Sequence, residues 1–351
     1  MALLGSFLRV TEAIGFKNNK FNCSKHPYLK ALLTHKMIRY ALNMEIKPLL
    51  PGIDYRDALV FMGSCFSEHM SGRLTTLGFD VAPQTNGVVF NPISLAEAFQ
   101  RILWKGDYTE ADLIFHNGLW HGRFHHGRFS EINSYDALHK MNHALHALKS
   151  HLERCKTIFI TFGSSYVYEY KESAEVFANC HKIPQSQFNK RLLSTDEIVN
   201  TWVELIAGIQ ARYAQVQFVF SVSPVKHLRD GVVENNLSKS TLLLSIHALQ
   251  MQFPSLMYFP AFELINDDLR DYRFYENDGA HPNAMAVEHV FEQFKASYFD
   301  SKTQEYIQDI EKYHAMSKHR IQNADAEEGI KFMKKLEDFR KELETKYQIV
   351  L

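Results

Sequence analysis

The chain has few of the residues that build stapled or metal-bound scaffolds. Its four cysteines, Cys23, Cys65, Cys155 and Cys180, are scattered through 351 residues with no CxxC spacing. Neither a zinc module nor a disulfide framework fits that pattern, and a reducing compartment is the simpler setting. An excess of one charge is also missing. Lys and Arg number 39 against 40 Asp and Glu, for a net charge of −1, and no stretch gathers the cations that a nucleic acid or an anionic membrane surface needs. No apolar run approaches the roughly 18 residues that a membrane span requires. The opening MALLGSFLRV has no basic n-region before its apolar residues and no clean small-residue cleavage site, so it does not read as a secretory leader. The expected location is cytoplasmic. No internal repeat or low-complexity tract stands out.

What is present is a composition that can bury one substantial core: 46% hydrophobic and 23% charged residues. Residues 1–43 lack the rhythm of the rest of the chain and read as a peripheral extension or as a consequence of start-site choice. From Met44 onward, short apolar runs alternate with amphipathic stretches. The runs DALVFMG (57–63), TIFITFG (157–163), VQFVFSVSP (216–224) and SLMYFPAF (255–262) are rich in β-branched and aromatic residues and end in Gly, Ser or Pro, which predicts buried strands. Helical periodicity covers 66–77, 94–104, 134–153, 195–213, 238–252 and 283–298, and capping boxes are expected at Ser94 to Glu97 and Ser194 to Glu197. Strand and helix in alternation predict an α/β three-layer sandwich with a mostly parallel sheet over 44–300. Residues 301–351, with apolar positions at helical spacing among mixed Lys and Glu, predict a C-terminal helical extension that is peripheral to the site. Its bland role is to lie against the domain or to pair two copies in a homodimer.

In such sheets, ligands bind beyond the carboxyl ends of the strands. The polar groups expected there are Gly63-Ser64-Cys65-Phe66, Gly163-Ser164-Ser165-Tyr166, Ser221 to Pro224 with His227 behind, Glu263, and late in the chain Asp278 and His281 in the order D-x-x-H, before a helix that Pro282 opens.

An apolar strand, a Gly-x-nucleophile turn, a helix and a distant D-x-x-H resemble the SGNH (GDSL-type) hydrolase superfamily. More closely, the sequence resembles the GSCFA family, whose naming motif here reads GSCFS. The blocks FMGSCFSEHM, NGVVFNPISLAEAF, HNGLWHGRFHHGRFS, ITFGSSYVYE, NCHKIPQSQFNKRLLS, SVSPVKHLRDGVVENNLSKSTLLLSIH and DDLRDYRFYENDGAHPN carry that resemblance in order. It implies a flavodoxin-like three-layer fold. The superfamily's nucleophile falls on Cys65 and its first-block aspartate on Ser64, which competes for the nucleophile's role. Its base falls on His281 and its orienting acid on Asp278. A cysteine at a helix N-terminus is a thiolate candidate, although a lone cysteine is more often a small buried apolar residue.

The asparagine of the third block is missing from Gly163 to Tyr166. Ser165, with backbone amides of Cys65 and Gly87, is the expected replacement in the oxyanion hole. With 18 histidines in the chain but no HxH or HExxH arrangement beside a carboxylate, no metal and no cofactor are expected. Arg123, His126, Arg128, His181 and His227 are read as polar contacts to a hydroxylated substrate, and Trp120 and Tyr166 as flat surfaces for a sugar ring. The expected function is an esterase or acyltransferase acting on small acyl esters of a carbohydrate-like substrate through Cys65, His281 and Asp278. The alternative is an inert SGNH-fold protein that binds a glycan or other ligand.

Overall fold

The computed structural model describes residues 42, 44–319 and 327–351. Apart from Leu42, the extension expected over 1–43 lies outside them. The strands are β1 (Ala58–Gly63), β2 (Leu113–His116), β3 (Leu119–Gly122), β4 (Cys155–Phe162), β5 (Tyr166–Tyr170), β6 (Val176–Phe177), β7 (Phe188–Leu192), β8 (Gln217–Val222) and β9 (Met257–Tyr258). The longer helices are α1 (Cys65–Thr76), α2 (Pro92–Gln100), α3 (Ser134–Leu152), α4 (Thr195–Arg212), α5 (Val232–Gln252), α6 (Ala284–Tyr298), α7 (Ser301–Ser317) and α8 (Glu327–Tyr347).

The central sheet has the order β1-β4-β8-β9 with every pairing parallel. On the free side of β1, isolated parallel bridges join Leu59 to Val81 and Gly63 to Val88. The segment around 81–88 thus occupies the edge position, and the spatial order is the second, first, third, fourth and fifth chain segment, the flavodoxin-like winding. β1 is buried along its whole length because helices cover both faces. Val60, Met62, Ile158, Ile160, Phe218 and Phe220 face one core with α2, α3, α4 and α5. Leu59, Phe61, Phe159 and Val219, the alternating residues, face the other with α1, α6, α7 and α8. A period-2 strand with both of its faces apolar reads as a continuous hydrophobic run, which is why these strands were legible.

Three local expectations change. The last run pairs only at Met257–Tyr258, since Pro260 follows and the chain turns into a short helix at Ala261–Glu263. α2 is capped by Asn91, whose side chain accepts from the Ser94 amide, with Pro92 in the first turn. The capping box expected at Ser94 to Glu97 is absent, and Glu97 instead binds Arg101 and Lys105. The box at Ser194 and Glu197 does form at the start of α4. The sequence reading also passed over the β2-β3 hairpin, although Asn117 and Gly118 both take positive φ there, as an Asn-Gly turn requires.

The C-terminal helices are not peripheral to the core. Tyr306, Ile307 and Ile310 of α7 and Leu343 and Tyr347 of α8 are buried in the second core, each contributing roughly 1.5–3 kcal/mol of burial. Tyr306 stacks on Tyr55 at 4.4 Å and donates to the Leu77 carbonyl at 2.7 Å. The described residues from 44 onward form one compact unit.

Candidate active site

The site is built by the way β1 ends. Gly63 has φ of +136°, and a Cβ there would lie 2.1 Å from the Thr161 carbonyl oxygen of β4, so no side chain fits. The Ser64 amide then donates to that same oxygen at 3.2 Å, while the Gly63 carbonyl accepts from Val89. Pinned on both sides, the chain swings into α1 with Cys65 as its first residue. Ser64 occupies the N-cap position, yet its hydroxyl makes no capping bond and is buried without a partner. The two residues therefore separate: Cys65 lines a cleft of about 340 Å³, and Ser64, 1% exposed, faces inward.

His281 lines the same cleft. Its Nδ1 binds Asp278 Oδ2 at 2.6 Å, and Asp278 Oδ1 accepts from the amides of Ala280 and His281 at 2.8 and 3.0 Å. These three donors, the amides above all, hold the Asp278 carboxyl down at about 2. A carboxylate fixed by its own loop fixes the imidazole in turn and leaves Nε2 as the ring nitrogen available to the cleft. The loop is anchored by the Glu276 amide to the His281 carbonyl and by the Lys226 amide to the Ala280 carbonyl. α6 begins at Ala284 with Asn283 as its cap, two residues beyond the proline expected to open it. Gly63, Gly163, Ser223 and this loop all lie at the carboxyl edge of the parallel sheet.

The thiol itself departs from expectation. Burial pushes the Cys65 pKa up, outweighing the amides of Phe66 and Cys65 and the charge of Lys239, all of which lower it. The helix N-terminus alone does not make this cysteine a thiolate.

A second pocket, of about 550 Å³, has Ala280 of the Asp278 loop in its wall. Phe90, Tyr166, Tyr168 and Phe177 supply aromatic surface, and Ser164 and His227 supply polar groups. Tyr166 and His227 are thus in position to touch a ligand. Burial, with the nearby Lys239 charge, lowers the His227 pKa to about 4. Its Nε2 is buried without a protein partner, and its ring packs edge-on against Phe90 at 5.4 Å.

The remaining expected contacts are used elsewhere. Ser165 is fully buried, with its amide and hydroxyl both bonded to Ser238 on α5, so it has no donor left for an oxyanion. The Gly87 amide closes a turn onto Gln84, and neither cleft includes Gly87. Trp120 packs in the β2-β3 hairpin against Phe115. Arg123 pairs with Glu175 at 2.5 Å and Arg128 with Glu68 at 2.6 Å. The His126 ring accepts from the Arg128 amide. His181 stacks on His121 at 4.5 Å and binds the Gly122 carbonyl, and burial lowers its pKa to about 4. None of these five lines either cleft.

Sequence reasoning missed Lys239, which is 1% exposed and donates to the Gly163 and Ser223 carbonyls at 2.6 and 2.8 Å. Its signal was present: Lys239 falls on the same helical stripe as Leu242, Ile246 and Leu249, where an apolar residue is due. Among the described residues, no group of three or more His, Cys, Asp and Glu is placed to hold a metal ion. No described helix is long and apolar enough to cross a membrane.

Fold and cleft together define a doubly wound parallel α/β protein whose candidate site opens at the carboxyl ends of β1, β4 and β8. The chain belongs to the GSCFA family, whose profile matches residues 58–294. No curated protein matches the sequence. A solved structure described as "a putative platelet activating factor from Streptococcus pneumonia" aligns over 70% of this chain and 85% of its own, at 11% identity and a TM-score of 0.37.

Proposed function

We propose that the protein is an acyl-transferring enzyme of the SGNH type, an esterase or O-acyltransferase for small acyl esters of a hydroxylated, carbohydrate-like alcohol. The observation that carries this reading is the shared cleft of Cys65, at the uncapped start of α1, and the His281–Asp278 pair. In the reaction, His281 Nε2 takes the Cys65 thiol proton as the sulfur attacks the acyl carbonyl carbon, and a tetrahedral oxyanion forms, stabilised by the first amides of α1. As the carbon–oxygen bond to the alcohol breaks, His281 Nε2 gives the leaving oxygen a proton, and Asp278 stabilises the imidazolium beforehand. A thioester remains on Cys65. Water, or a second alcohol, then gives a proton back to His281 and displaces the sulfur. The aromatic pocket of Phe90, Tyr166 and Tyr168, with His227 at its wall, suits a ring bearing hydroxyl groups.

The test is to incubate the protein with p-nitrophenyl acetate, quench it with acid and locate the acetyl group by mass spectrometry. Acetylated Cys65, lost in Cys65→Ala and retained in Ser64→Ala, is the expected result. A label on Ser64, or none on either residue with a folded protein, overturns it. Two observations favour the inert ligand-binding alternative: the thiol pKa is raised, and Ser165 and Gly87 are unavailable as oxyanion donors. Under that reading the aromatic pocket binds its ligand and no acyl group is transferred.

A further inference from the structure

The second pocket carries charge that the protein does not neutralise. Lys226 and Arg229, in the loop after β8, both line it, and among the described residues no carboxylate pairs with either. The one carboxylate on its wall, Asp230, is bound to Lys190, whose ammonium also lies over the Tyr166 and Tyr168 rings at 4.6 and 5.7 Å. Lys226 Nζ sits 3.8 Å from the centre of the Tyr275 ring, a contact that holds an ammonium in place without cancelling its charge. Arg229 is exposed. The Cys180 thiol on the same wall, which burial pushes up, feels the Arg229 charge in the opposite sense. Three cations thus stand against one carboxylate at a pocket whose body is aromatic. The neutral groups lean the same way: Asn179 Oδ1 is taken by the His181 amide at 2.9 Å, which leaves Nδ2 to donate, and the Ser164 oxygen accepts from the Tyr166 amide at 3.1 Å.

We propose that the second pocket selects a ring-bearing alcohol that carries an anionic group, a carboxylate or a phosphate ester, with Arg229 as the main contact to that group and Lys226 adding to the field. The inference rests on the reading of this pocket as the site of the hydroxylated alcohol, and adds the charge which that alcohol bears. The pocket and the Cys65 cleft share two loops. Val225 and His281 line the cleft, their neighbours Lys226 and Ala280 line the pocket, and the Lys226 amide donates to the Ala280 carbonyl at 3.1 Å. A ring held against Phe90 and Tyr166 therefore lies beside the loop that carries His281.

A guanidinium suits either anion, because its fork of N–H groups meets two oxygens at once. Being exposed, Arg229 stays hydrated while the pocket is empty, so leaving it unpaired costs little. A bound ring displaces part of that water, and the charge-assisted contact is then worth more than an open surface pair. A neutral sugar would fill the aromatic part of the pocket and leave the cations unanswered.

The test is titration with glucose, glucuronate and glucose 6-phosphate, which share one ring and differ in charge, followed by ligand-observed NMR in wild type and Arg229→Gln. Wild type should bind glucuronate or glucose 6-phosphate at least about tenfold more tightly than glucose, and the tighter of the two identifies the anion. That preference should shrink as ionic strength rises from about 0.01 to 1 M. Arg229→Gln, a change at an exposed side chain, should erase most of it. Equal affinity for the three sugars, or a preference that survives the substitution, overturns this inference and leaves the pocket as a site for a neutral ring. If none of the three binds, the reading of the pocket as a ring site fails and the inference falls with it. Acetylation of Cys65 reports on acyl transfer separately from either result.

Discussion

Replacing Gly63 with alanine tests the link between the backbone and the site. The added Cβ would meet the Thr161 carbonyl oxygen at 2.1 Å and its carbon at 2.9 Å. Both are backbone atoms of a central strand, so neither can step aside. The φ of +136° costs an alanine roughly 1–3 kcal/mol. Relieving the clash must part Gly63 from Thr161 at the end of the β1-β4 ladder and break the Ser64 amide bond to that oxygen, which adds about 1–3 kcal/mol for buried groups left unpaired. The expected total is about 4 kcal/mol, a large share of the roughly 5–15 kcal/mol that holds a domain together. The assay is urea unfolding followed by circular dichroism, where the midpoint should fall with no change in slope. The control is Gly72→Ala in α1, where a Cβ meets nothing within 4 Å. Replacing a mid-helix glycine there should stabilise by roughly 0.5–1 kcal/mol. If Gly63→Ala is as stable as wild type, the reasoning that this turn is dictated by the close approach of β4 fails.

Other consequences are equally concrete. Ile310→Ala should cost about 2–5 kcal/mol in the same assay, because α7 is part of the second core; a surface helix would lose less than 0.5 kcal/mol. His125 is buried against Tyr108 and Phe129 with neither ring nitrogen paired, and its pKa is lowered to about 3. The unfolded chain therefore takes up a proton first, near 6.5, and stability present above that pH is lost as pH falls toward 3. His125→Phe should flatten this acid limb by up to about 1.4 kcal/mol per pH unit, and an unchanged slope would contradict the burial argument. Asp278→Asn should lower acyl-transfer kcat/KM by roughly 10³–10⁴-fold, since the carboxylate acts on His281, and a folded variant with undiminished kcat/KM would contradict that role. Because the Asp278 pKa is depressed from 3.8 to about 2, the stabilising bonds it makes are complete above 3.8 and disappear between there and 2; a wild-type loop that loosens already at pH 5 would refute the assignment.

The strands and the general layering were legible because a parallel sheet buried on both faces leaves uninterrupted apolar runs, as in β1 and β4, and because Gly63 and Gly163 mark where those runs stop. The D-x-x-H spacing was legible as well, since three residues suffice for Asp278 to reach both its own loop amides and the His281 ring. Those features are local. What the tertiary structure alone decided is which side chains remain free. Ser165, Arg123 and Arg128 look like site residues in sequence, but Ser238, Glu175 and Glu68, each remote in the chain, take up their hydrogen-bonding groups. Likewise, the mixed charges of residues 301–351 look like a solvated appendage until Tyr306 and Tyr347 are seen buried beside Tyr55. The thiol chemistry is the sharpest case: a cysteine at a helix start implies a lowered pKa, yet the depth of burial raises it, and the compensating charge comes from Lys239, 174 positions further along the chain. Local sequence fixes dihedral preferences and periodicity, whereas desolvation and pairing depend on neighbours that only the folded chain brings together.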